Sequence, residues 1–207
     1  MTDPEMDGGT TRDDLVRRVE LIETMIAEGR HSMCRYGWIF VLWGLVNLAG
    51  WGWQYMRPHA GWVWPVCLGT GAVITGIGLA MQGRDQGRGT SMQCRSVGAV
   101  WSMMGVALAL YVGSALMAHL AWQYSYIAGM LMIVGLAHAI SAAILRWNVQ
   151  GVVAAIWWAG GVAVFLFNSR RAVNDIFLLE MCFGMILFGV YAMILERRRG
   201  GWGGRHA

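Results

Sequence analysis

The chain has 207 residues, of which 57% are hydrophobic and only 14% charged, where an average soluble domain is nearer half apolar and a quarter charged. Twelve Trp, 29 Gly and a formal charge of +4, sixteen cations against twelve acids, complete a composition that excludes a disordered chain, a disulfide-stapled miniprotein and an ordinary water-soluble enzyme domain. It selects an integral membrane protein.

Residues 1–10 read as a flexible acidic leader. Residues 11–31 then form a cytoplasmic amphipathic helix, opened by Thr11 and Asp14 as a capping box. Leu15, Val19, Ile22 and Ile26 recur at 4-3-4 spacing along one face. The opposite face mixes Arg12, Arg17 and Arg18 with Asp13, Glu20, Glu23 and Glu28. A helix built for anionic lipid is more uniformly basic. The mixed signs suit docking on the protein's own loops, self-association, or a partner membrane protein.

Six apolar stretches follow, about 36–56, 62–82, 97–118, 124–145, 149–167 and 175–195, each long enough to cross a bilayer as a helix. The expected fold is therefore an all-α six-span membrane domain over 36–195, closed by a flexible basic tail over 196–207. Pro65 falls in the opening turn of the second span, where its missing N–H costs least. The first span is too long and too far from the N-terminus to be a signal peptide. Odd spans open on Gly-Trp-Gly patterns and even spans close on Gly, a short apolar run and Arg. Triplication of a helical hairpin is one reading of this and a biased alphabet the other.

All sixteen cations are Arg, and with a cytoplasmic N-terminus only Arg57, Arg170 and Arg171 fall outside. By the positive-inside rule both termini are cytoplasmic and the protein is multi-pass in the cytoplasmic (inner) membrane of a bacterium. The arginines sit at span edges and no RNA- or DNA-binding motif accompanies them, so no nucleic-acid partner is expected; membrane lipid is. The connector after span two, with Gly83, Gly87, Gly89, Arg84, Arg88 and Arg95, reads as a flexible positive-inside loop and matches no phosphate-binding loop.

Most tryptophans fall at span ends, as an interfacial belt requires. Trp43, Trp157 and Trp158 lie deeper, and their indole N–H groups need a protein partner or a bound lipid or quinone; they are the cofactor-binding candidates. Small residues recur every fourth position in spans two to five, most regularly as Gly151, Ala155, Ala159 and Ala163, the expected helix-packing face. On that basis spans two to five pack closely and spans one and six are peripheral.

Intramembrane polar residues are the default functional candidates, here Asn47, His138 and Glu180. They read either as a satisfied interhelical network, with Glu180 paired to Arg170 or Arg171, or as a proton- or substrate-linked relay. Thr70, Thr75, Ser114 and Ser141 are expected to bond their own helix backbone. Cys34, Cys67, Cys94 and Cys182 are widely spaced and form no C-x-x-C pair. No catalytic motif, metal-ligand cluster or cofactor signature is present in the sequence, so no cofactor, metal or catalytic residue is expected. The expected function is a non-enzymatic assembly, scaffolding or regulatory subunit. The alternatives are a small transporter or channel using Asn47, His138 and Glu180, or a lipid- or quinone-binding protein.

Overall fold

The computed structural model describes residues 14–24, 36–57, 60–85, 92–118, 124–167 and 169–203. The leader 1–10, Ile26 and the rest of the arm to residue 31, Cys34, and the connector from 86 to 91 lie outside them. Among the described residues every regular element is helical: α1 (14–24), α2 (Gly37–Met56), α3 (Val63–Asp85), α4 (Met92–Met117), α5 (Tyr124–Leu145), α6 (Asn148–Phe167), α7 (Arg170–Leu179), a π-helical segment (Glu180–Leu187) and α8 (Phe188–Gly203). Among the described residues five stretches are long and apolar enough to cross a membrane: Val63–Gln82, Arg95–Met117, Tyr126–Leu145, Asn148–Phe167 and Arg170–Arg198. Over its described residues the chain is thus all-helical, with the long apolar helices of a multi-pass membrane protein. The helix over the first expected span, α2, has 20 residues and a length of about 30 Å, but Gly, Trp, Asn, Gln and Tyr dilute its apolar content and it is not among the five.

Three boundaries differ from the sequence reading by five residues or more. The last transmembrane helix begins at Arg170 rather than 175, because Ser169 in extended conformation caps it by accepting a hydrogen bond from the Ala172 N–H at 3.2 Å. It also continues to Gly203, since Glu and Arg are good helix formers, so the flexible tail expected from 196 is helical over its first eight residues. The helix of the third span starts at Met92, which shortens the expected loop before it.

The α5–α6 connection is two residues, and its geometry explains how so short a link suffices. Trp147 N–H reaches back to Ala142 O at 3.0 Å and Arg146 N–H to Ala143 O at 3.4 Å. This is the double bond pattern of a Schellman ending, with Arg146 at φ 46° in the left-handed position usually held by Gly. Trp147, buried, then packs its ring on Phe188 and Tyr191 of α8.

Burial is uneven. One third of the apolar window is buried in α5, in α6 and in the Arg170–Arg198 helix, against 17% in α3 and 6% in α4. The core is formed by α2, α5, α6 and the α7–π–α8 helix, while α3 packs along α2 and α4 along α5. The expected order, with spans two to five central, is therefore corrected: spans one and six are core and spans two and three are flanks. Small-residue faces misled because Gly76 of α3 and Gly105 of α4 have no neighbour within contact distance. Glycines are used instead for close crossings elsewhere. Gly37 and Gly189 each lie against the other's carbonyl oxygen, bringing α2 and α8 backbone to backbone.

Candidate functional site: a buried polar column

His138 sits on α5 about 12 Å, or eight residues, before the Arg146 turn. It is fully buried, and neither ring nitrogen has a hydrogen-bond partner. Four other helices each send one ring to it. Trp101 of α4 meets it edge-on at 5.0 Å, Phe188 of α8 edge-on at 5.4 Å, Phe40 of α2 tilted at 5.6 Å, and Trp157 of α6 stacked at 6.3 Å. Phe40 closes the ring through edge contacts with Trp101 and Phe188. Aromatic edge-to-face contacts add to the area buried, which makes this cluster the centre of the fold.

Trp157 links this cluster to Glu180. Its indole lies against Gly184 of the π segment, so that a Cβ there would stand 2.6 Å from Nε1. One turn along each helix the relation is reversed: the Glu180 carboxyl, from the π segment, lies against Gly160 of α6, with Oε1 in the space a Cβ would take. Glu180 is only 3% exposed, and its Oε2 and the Trp157 Nε1 have no hydrogen-bond partner. Glu180 opens the eight-residue π segment, a rare geometry that recurs at functional sites. It lies ten residues, about 15 Å, into the helix rather than the turn and a half suggested by the apolar run. Arg171 pairs instead with Asp175, at 3.9 Å, and the expected pairing of Glu180 with Arg170 or Arg171 is not formed at Oε2.

Gln150 adds a third buried polar side chain in the first turn of α6, with both amide heteroatoms unpartnered. Ser141, also buried, does not bond its own helix as expected; its Oγ accepts from Trp101 Nε1 at 3.1 Å. Thr75 and Ser114 do bond their own helix backbone, to Gly71 O and Tyr111 O. Asn47 stands apart from the column: it is part-buried and donates to Trp43 O on its own helix at 2.8 Å.

The other candidates separate in the same way. Trp43 donates to Thr75 Oγ1 at 3.2 Å, and Trp158, 40% exposed, to Met132 O at 3.4 Å. Of the three deep tryptophans only Trp157 is left with an unpartnered N–H. On α6 the stripe facing the bundle is Val153, Ala154, Trp157, Gly160, Gly161 and Val164. Ala155 and Ala159 are exposed, Gly151 and Ala163 half-buried, so the regular small-residue stripe is not what packs α6 within the chain. Cys67 and Cys182 are free thiols, and among the described residues no cluster of His, Cys, Asp or Glu is arranged to hold a metal.

No family model matches the chain, and no curated protein or solved structure matches it.

Proposed function

We propose that the protein is a non-enzymatic membrane subunit that works by assembly, with itself and through that with a larger complex. In this reading it has six spans, α2 being the first, lies in a bacterial inner membrane, and keeps both termini in the cytoplasm. The observation that carries the reading is the uneven burial: a four-element core holds together while α3 and α4 are each supported along one side only. Their outward faces carry Ala72, Gly76, Ala80, Gly105 and Ala109, small residues of the kind that let membrane helices approach closely.

The arm supports the same reading. Every residue of α1 is exposed, including Leu15, Val19 and Ile22, an apolar stripe with nothing over it among the described residues. Leu15, Val19 and Ile22 fall at successive d, a and d positions of a heptad, which puts Arg18 at g and Glu23 at e. Two copies inserted in the same sense hold their arms parallel, and in a parallel pair g faces the partner's following e. Arg18 then meets Glu23 of the second copy.

The test is the mass of the full-length protein purified in mild detergent, by light scattering or native mass spectrometry. More than one chain per particle is expected, with loss of subunits on deleting residues 11–30. A monodisperse single chain that co-purifies with no other protein overturns the proposal.

A further inference from the structure

We infer that Glu180 and His138 form an internal proton-binding site, with Trp157 between them. This goes beyond assembly and does not depend on it.

Three observations carry the inference. First, both side chains are titratable, buried, and have unpartnered heteroatoms: Oε2 of Glu180 and both ring nitrogens of His138. A buried polar group without a partner is expensive, and a buried charge without one more so. Second, among the residues whose side chains are described no counter-charge serves them. α2, α5 and α6 carry no Asp, Glu, Lys or Arg within Gly37–Met56, Tyr124–Leu145 or Asn148–Phe167. On the remaining elements around the column, Arg95 of α4, Arg170, Arg171 and Asp175 of α7, and Arg197 and Arg198 of α8 are exposed; Glu196 is half-buried sixteen residues beyond Glu180. Arg146, in the α5–α6 turn, is exposed as well. Third, both groups are tied to Trp157 by the packing. His138 stacks on the Trp157 ring, and Glu180 lies one turn along its helix from Gly184, against which that indole is seated.

The chemistry of the site selects its ligand. With Oε1 pressed on Gly160, Glu180 offers one open oxygen, and the imidazole is hemmed in by four rings. A metal ion needs four or more donors in a defined shell, and an organic substrate needs volume. A proton needs one lone pair. Its uptake at Oε2 converts the carboxylate to a neutral acid that can donate a hydrogen bond, and its uptake by the imidazole creates a cation bordered by aromatic rings. The π-helical start at Glu180 fits a residue placed for function at the expense of regular backbone pairing.

The experiment is a pH titration of the full-length protein in phosphatidylcholine vesicles, followed by infrared difference spectroscopy in the carbonyl-stretch region of protonated carboxylic acids, from about pH 5 to about pH 9. A band that grows as pH falls and is missing in Glu180→Gln is expected. Glu180→Asp, which keeps a carboxyl, should restore a band at a shifted frequency. In His138→Gln the midpoint should move by roughly one pH unit, reflecting a lost titrating neighbour. A Glu180 band that is absent at every pH, or present and invariant, overturns the site. A midpoint unmoved in His138→Gln overturns the pairing of the two residues.

Discussion

Trp157 and Glu180 interlock across the α6–π interface, one turn apart, each seated against a glycine of the opposing helix: Trp157 on Gly184, Glu180 on Gly160. Neither side chain has room unless the other helix lacks a Cβ at that point. The polar column and the closest packing in this part of the core are therefore one arrangement.

Gly160 and its neighbour Ala159 should respond unequally to added bulk. In Gly160→Ala the new methyl meets the Glu180 carboxyl and Ile176, so a loss of about 1–3 kcal/mol is expected from overpacking. Ala159 is exposed, and Ala159→Phe should leave the fold within about 0.5 kcal/mol of the parent. Thermal unfolding in one detergent, read side by side, checks the pair. Equal destabilisation by both would contradict the packing described for α6.

Ser141 is the acceptor for Trp101 Nε1. Ser141→Ala removes the oxygen and leaves a part-buried indole N–H unpaired, at a cost of about 1–2 kcal/mol. Ser141→Thr retains the hydroxyl and should recover part of the loss. An alanine variant as stable as the parent would mean that the indole finds another acceptor.

Arg146 holds the left-handed position of the α5–α6 turn, where a side chain is strained. Arg146→Gly should stabilise the fold by about 1 kcal/mol, measured as a rise in unfolding temperature. A fall would show that the guanidinium contributes more at the bilayer edge than the turn loses by carrying it.

The arm offers a charge-reversal test. Under the parallel pairing proposed for α1, Arg18→Glu sets two acids against each other and should shift the protein toward fewer chains per particle. Combining it with Glu23→Arg should restore assembly. The separate-partner alternative would give a double variant no better than the single one.

The sequence is most informative where an apolar run ends sharply. Both helices of the α5–α6 hairpin lie within one residue of their expected spans, because Arg146, Trp147 and Asn148 interrupt two otherwise apolar stretches. It is least informative where a helix opens on polar residues. Arg170, Arg171, Asn174 and Asp175 hide the first turns of the last transmembrane helix, and the signal that reveals them is the cap at Ser169 rather than hydropathy. Among the polar candidates, His138 and Glu180 stand out in a one-dimensional reading because each interrupts an apolar run. Gln150 does not, since polar residues are ordinary in a first turn; only its burial singles it out. The four rings around His138 come from residues 40, 101, 157 and 188. No local pattern ties such separations together. Asn47 shows the converse, a polar residue in an apolar span whose requirement is met one turn away on its own backbone.

The π segment also sets the rotational phase of all that follows it. Each residue of an α-helix advances about 100°, and a residue in the wider π turns advances less, so Glu180–Leu187 gives α8 a different phase from the one an unbroken α-helix of the same length would give it. With regular α geometry over those eight residues, Phe188 would swing away from His138, and Gly189 away from the backbone of α2. The wide turns thus act as a phase adjuster, allowing one continuous helix to present Glu180 to α6 above and Gly189 to α2 below.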